Sequence, residues 1–167
     1  MKLCKKSPIK VLFLGLYGCG KTSIIYKFAY RKDLLTLPTL GSEEINLIIK
    51  NKKFIFCDIT GQRISIKLWK YYYPLTDIIA YVIDINNLCQ NTKEEIDILK
   101  DVLKEFYGKV IIVLTKYLQR SRQNINEIKQ TLFSYIAEVK RDQSVVIIEY
   151  DINDIQNNQL EDSLLKL

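Results

Sequence analysis

The chain is 167 residues long, with 48% hydrophobic and 26% charged residues, which suits a single globular domain able to bury a substantial core. It carries a formal net charge of +6, no histidine and four cysteines (Cys4, Cys19, Cys57, Cys89) without CxxC spacing, which excludes histidine acid–base catalysis and the usual zinc sites. The apolar runs are too short to span a bilayer, and the opening MKLCKKSPIK lacks the apolar core of a signal peptide, so a cytoplasmic protein with free thiols is expected.

Lys2, Lys5, Lys6 and Lys10 concentrate charge near the start, with a second cluster at Lys50, Lys52 and Lys53; both read as solvated surface, and no nucleic-acid partner is expected. Ile9 to Leu14 is a nearly continuous apolar run, as in a strand buried on both faces. It leads into GLYGCGKT, Gly15 to Thr22, which satisfies G-x-x-x-x-G-K-[ST]. In such a loop the amides of Gly15, Leu16, Tyr17, Gly18, Cys19 and Gly20, continued into Ser23, form an anion-holding concavity, and the following helix adds its positive end. Lys21 would reach the β- and γ-phosphates, and the Thr22 hydroxyl would ligate Mg²⁺. Cys19 lies where a helix terminus can lower a thiol pKa, but it is read as a loop spacer. Ile24, Ile25 and Phe28 then fall on one side of a helix.

Further apolar runs occur at Ile45 to Ile49, Phe54 to Cys57, Ile78 to Ile83, Val110 to Leu114 and Val145 to Ile148, for six strands in all. The polar turn Asn51 to Lys53 predicts a hairpin between the second and third. Ile96, Leu99, Leu103 and Phe106 mark one helix, with Thr92 and Glu95 as a capping box and Gly108 as its C′ residue. Ile125, Ile128, Leu132, Ile136 and Val139 mark another, without a clear cap. The expected fold is a three-layer α/β domain over residues 1–167: a six-stranded, mostly parallel sheet with one antiparallel strand, helices on both faces, and ligand at the carboxyl ends of the parallel strands.

Three further motifs bring a family into view. TLPTLG at Thr36 to Gly41, DITGQ at Asp58 to Gln62 and LWKYYY at Leu68 to Tyr73 follow the phosphate loop at the intervals of a small GTPase, and the chain resembles the Arf and Arf-like branch of the Ras superfamily. The likeness is specific from about Ile9 to Asp84 and weaker beyond. It implies a GDP/GTP switch in vesicle trafficking that uses Mg²⁺. Thr39 would complete the metal shell and sense the γ-phosphate, Asp58 would hold the metal through water, Gly61 would offer its N–H to the γ-phosphate, and Gln62 would be the catalytic residue that orients the attacking water. Effectors, exchange factors and GTPase-activating proteins would meet the switch and interswitch surface of a monomer.

The base-reading end departs from that pattern. Where the family has N-K-x-D, this chain has Thr115, Lys116, Tyr117 and Leu118. Thr115 and Lys116 remain candidate nucleotide contacts, but leucine accepts no hydrogen bond from guanine. Hydrogen bonds to charged groups are worth about 1.5–3 kcal/mol, so two lost ones weaken GTP by on the order of a hundred- to ten-thousandfold. Asp151 and Asn153 are the nearest replacements. Tyr17 stands where Arf proteins carry aspartate, predicting slow hydrolysis. Ser42, Cys57 and Tyr72 stand at the aromatic effector positions, so the usual partners should not dock in the usual way. Lys2 in place of glycine rules out N-myristoylation, and membrane attachment is expected to be weak or absent, with Cys4 the one candidate for palmitoylation. The alternative to a GTPase is a pseudo-GTPase scaffold with weak or relaxed nucleotide binding and no significant turnover.

Overall fold

The computed structural model describes residues 7–30, 37, 39, 41–90, 92–119, 121–139, 145–154 and 158–166. Lys2, Cys4, Lys5 and Lys6, and Thr36, Pro38 and Leu40 of the TLPTLG stretch lie outside them. All six predicted strands are present: β1 Ile9–Leu14, β2 Ser42–Ile49, β3 Lys52–Ile59, β4 Ile78–Asp84, β5 Lys109–Thr115 and β6 Val145–Glu149. They form one sheet in the order β2-β3-β1-β4-β5-β6. Only β2 runs antiparallel, joined to β3 through Lys50 and Asn51, whose φ values of 43° and 66° make the tight left-handed turn that suits a twisted hairpin. The helices are α1 Lys21–Tyr30, α2 Ile85–Gln90, α3 Thr92–Glu105, α4 Arg122–Val139 and α5 Gln159–Leu165, with 3₁₀ segments at Arg63–Tyr71, Tyr73–Leu75 and Tyr117–Gln119.

The period of two along each central strand divides the interior. Leu12 and Leu14 of β1, Tyr81 and Ile83 of β4 and Ile112 and Leu114 of β5 pack with Ile96, Leu99 and Leu103 of α3 and Ile125, Leu132 and Ile136 of α4. Their alternates Val11, Phe13, Ala80, Val82, Ile111 and Val113 pack with Ile24 and Ile25 of α1 and Leu160 and Leu164 of α5. This is why β1, β4 and β5 read as unbroken apolar runs. Because β1, β3, β4, β5 and β6 share one direction, their carboxyl ends bring Gly15, Asp58, Asp84, Thr115 and Asp151 to one edge of the sheet.

Two predicted helix signals are corrected. Thr92 does not cap α3: α2 precedes it closely, and the Thr92 hydroxyl donates back to the Leu88 carbonyl at 2.6 Å. Glu95 is instead buried and accepts from the Tyr81 hydroxyl at 2.9 Å. Gly108 is not a left-handed cap; a Cβ there would lie 2.4 Å from the Phe106 ring and 2.9 Å from the Asp77 carbonyl oxygen, so close packing demands the glycine. The missing signal for α4 is Ser121, whose hydroxyl accepts from the Asn124 N–H at 3.3 Å.

Candidate nucleotide site

The loop from Gly15 to Gly20 leaves β1 in a conformation that side chains disfavour, with φ of 139° at Gly15, 76° at Gly18 and 101° at Gly20. A Cβ at Gly15 would sit 2.2 Å from the Val82 carbonyl oxygen of β4, so the loop can begin this close to the sheet only as glycine. Lys21 opens α1 and folds back across the loop: its ammonium donates to the carbonyls of Gly15 at 2.9 Å and Leu16 at 3.2 Å. Nearly the whole lysine is buried, which fixes a positive charge beneath the amides. Cys19 is more than a spacer. Its side chain enters the core shared with Ile24 and Ile25, its sulfur lies 3.7 Å from the Lys21 ammonium, and burial pushes the thiol up despite the lysine.

Three segments meet beside the loop. The Thr22 hydroxyl donates to Asp58 Oδ2 at 2.5 Å, Thr39 donates to the same oxygen at 2.8 Å, and the two threonine oxygens lie 3.0 Å apart. Asp58 Oδ1 is buried without a partner among the described residues. Burial pushes the Asp58 carboxyl up, against the two hydroxyls and the Lys21 charge that pull it down. Two hydroxyl oxygens converging beside an orphaned carboxylate oxygen form a hard-oxygen set that fits a small divalent cation such as Mg²⁺. Gly61 seats its main chain against the loop: a Cβ there would come within 2.4 Å of the Gly15 oxygen and 2.7 Å of the Lys21 ammonium. A cavity of about 180 Å³ results, lined in part by Tyr17, Lys21, Thr22, Leu37, Thr39 and Gly61.

A larger cavity of about 560 Å³ continues past Gly18, Cys19, Gly20 and Ser23 toward Thr115, Lys116, Leu118, Tyr150 and Asp151. The Thr115 hydroxyl lies 2.9 Å from the Cys19 carbonyl oxygen and 3.2 Å from that of Ile83, tying β5 to the loop. Lys116, at φ 57°, directs its ammonium to the Gly18 carbonyl at 3.1 Å and to Asp84 Oδ2 at 2.6 Å. Lys116 thereby forms part of the cavity wall.

Of the residues singled out in the sequence, Tyr17, Gly18, Cys19, Gly20, Lys21, Thr22, Ser23, Thr39, Gly61, Thr115 and Lys116 line one or both cavities, with Asp58 at their metal corner. Gly15 and Leu16 line neither and serve as the carbonyl anchors of Lys21. Gln62 is exposed and outside the lining; its N–H donates to the Thr60 hydroxyl at 3.4 Å. Sequence reasoning missed Asp84, which ends β4 and holds Lys116. A carboxylate closing an otherwise apolar run was the available signal. It also missed Thr60, whose carbonyl accepts from the buried Trp69 indole at 3.2 Å and whose N–H donates to the Gly41 carbonyl at 3.0 Å.

A parallel sheet that presents an amide loop and a buried lysine where its strand order reverses defines a phosphate-loop nucleotide-binding domain. Within that class, the profile of the ADP-ribosylation factor family matches residues 1–167, and the chain belongs to that family of small GTPases. It is 30% identical to ADP-ribosylation factor K of Dictyostelium discoideum over 131 residues, 76% of this chain and 69% of that one. It is 35% identical to ADP-ribosylation factor-like protein 1 of Drosophila melanogaster over 112 residues, 64% of this chain and 59% of that one, so under two thirds of this relative's length is spanned. The fold is shared with a mammalian SRP receptor chain, at TM-score 0.81 and 16% identity over 94% of this chain and 98% of that one. It is also shared with the Arl6 BBS3 small GTPase of Trypanosoma brucei bound to GppNp, at TM-score 0.70 and 20% identity over 95% of each.

Proposed function

We propose that this chain is a guanine-nucleotide switch with a weakened base-reading end and slow turnover. The observation that carries the reading is the convergence of Thr22 of α1, Thr39 and Asp58 of β3 on one point beside a loop of amides. It links nucleotide state to two otherwise separate segments. Loop amides and Lys21 hold the polyphosphate. Mg²⁺, when bound through Thr22, Thr39 and the Asp58 carboxylate, supplies positive charge to the terminal phosphates. Thr39 and Gly61 both line the phosphate cavity, and in this reading they would meet the γ-phosphate that distinguishes the triphosphate from the diphosphate state.

Tyr17 is 59% exposed and lines the phosphate cavity, where a bulky ring would compete with an attacking water for space; Gln62, the residue to orient that water, lies outside the lining. Both support slow hydrolysis. The exposed Ile64, Leu68 and Tyr71 of the segment after Gly61 suit effectors, exchange factors and activating proteins that meet a monomer. Among the described residues no helix is long and apolar enough to cross a membrane, and weak or no membrane attachment in the cytoplasm is part of this reading. Leu118, which stands in the cavity in place of an acceptor, favours a second reading: a scaffold that holds nucleotide loosely without turning it over.

The test is to identify nucleotide released on denaturation, then titrate GTP, GDP and ATP with Mg²⁺ or with chelator. Guanine occupancy and Mg²⁺-dependent GTP binding are expected, whereas equal indifference of the native chain and Lys21→Ala to every triphosphate would remove the reading. In single-turnover hydrolysis Tyr17→Gly should be faster; a rise of no more than about twofold contradicts slow turnover caused by the ring.

A further inference from the structure

Three carboxylates, Asp84, Asp151 and Asp154, lie on or next to the residues that line the larger cavity beyond the phosphate loop, and their hydrogen bonds separate them. Asp84 is committed: Oδ1 accepts the Asn86 N–H at 2.9 Å and Oδ2 accepts Lys116 at 2.6 Å. Asp154 is engaged by the Tyr117 hydroxyl at 2.7 Å and does not line the cavity. Asp151 does line it, just beyond β6, opposite the position where Leu118 offers no acceptor. It is 8% exposed, and only its Oδ1 is occupied, accepting the N–H of Asn153 at 2.9 Å and its side-chain amide at 3.1 Å. Among the described residues Oδ2 accepts nothing. Asn153 cannot take the same part: it is exposed, and its amide nitrogen is spent on Asp151, so it retains a single acceptor for a base edge that presents two kinds of donor.

We infer that Asp151 is the specificity-determining residue of this site, its carboxylate reading the guanine N1–H and N2–H₂ edge from the loop after β6 in place of an acceptor at position 118. The inference rests on the guanine-nucleotide-switch reading and adds the residue that reads the base. Asn153 is a positioning residue: its two donors hold Oδ1 and aim the carboxylate, and the turn is completed by the Asp154 N–H donating to the Asp151 carbonyl at 3.1 Å. The Lys116 stem and Leu118 supply apolar surface for the ring. With one carboxylate oxygen already shared, selectivity is lower than a fully free acceptor would give, yet guanine is preferred over bases that lack its donors.

The experiment measures affinity of the intact chain, with Mg²⁺, for GTP, ITP, XTP and ATP. Inosine lacks the N2 amine, so the native chain should bind GTP about tenfold tighter than ITP. Asp151→Asn keeps the shape and an acceptor for Asn153, but its amide repels guanine donors and can donate to the C2 oxygen of xanthine. It should lose about tenfold or more in GTP affinity while XTP affinity rises, a crossover that a merely structural role in the turn would not produce. Native GTP and ITP affinities within about twofold of each other, or Asp151→Asn leaving the GTP:XTP ratio unchanged, would overturn the assignment even if the variant were less stable. If no triphosphate binds the native chain, the nucleotide reading itself has failed, which is a distinguishable result.

Discussion

The two ends of the nucleotide site are built differently. At the phosphate end the determinants are main-chain groups and four side chains, the buried Lys21 and the short Thr22, Thr39 and Asp58, already bonded to one another or to the loop. At the base end the determinants are side chains at the end of β5 and in the segments after β5 and β6, and two of them, Thr115 and Leu118, are not those the family pattern asks for. Thr115 bridges to the Cys19 carbonyl and so ties β5 to the phosphate loop, whereas Leu118 offers a base no acceptor. A backbone-built site tolerates sequence drift around it, whereas a side-chain-built one changes with each substitution.

Lys21→Ala gives the largest expected effect on this contrast. Removing a buried ammonium that both anchors the Gly15 and Leu16 carbonyls and meets phosphate should weaken GTP and GDP alike by about a hundredfold or more, read by calorimetric titration. A loss confined to GTP would break the idea that this end is indifferent to base and state. Next is Thr22→Ala, which deletes one converging oxygen. GTP affinity with Mg²⁺ should fall by about tenfold, toward the value measured with chelator, and a Mg²⁺ response that stays unaltered argues against the metal corner. Gly61→Ala follows. Its Cβ meets the Gly15 oxygen and the Lys21 ammonium at less than van der Waals distance, so thermal unfolding should show a cost of about 1–3 kcal/mol unless the segment swings away. Unchanged stability would mean that Gly61 does not rest on the loop in solution.

The same contrast explains what could be read in advance. The strands were legible because β1, β4 and β5 are buried on both faces, and the phosphate loop because glycine, lysine and threonine are needed at fixed spacing. Elements defined by contact rather than pattern were not: α2 and α5 are six and seven residues long, too short for a periodic signal. Glu95 looked like a helix cap because helix-start chemistry is local, yet a tyrosine on β4, distant in sequence, captured it. Asp84 and Thr60 escaped for the same reason, since the partners that give them a role are set by topology.

Glu95 comes last because its effect is confined to one pH window, and it probes a buried carboxyl on α3. Burial raises its carboxyl to about 7, with Glu94 and Asp84 adding to the rise and the Tyr81 hydroxyl and Lys21 opposing it. The folded chain therefore keeps this proton up to about pH 7 while the unfolded chain releases it near 4.5, so stability from this group is present at low pH and is lost as pH rises between those values. Glu95→Gln preserves an acceptor for Tyr81 and removes the ionisation. It should match the native chain near pH 4.5 and exceed it by roughly 1–3 kcal/mol at about pH 8, as read from denaturant midpoints at each pH. If the two stability profiles stay parallel across that window, the carboxyl is solvated or paired more fully than the fold implies.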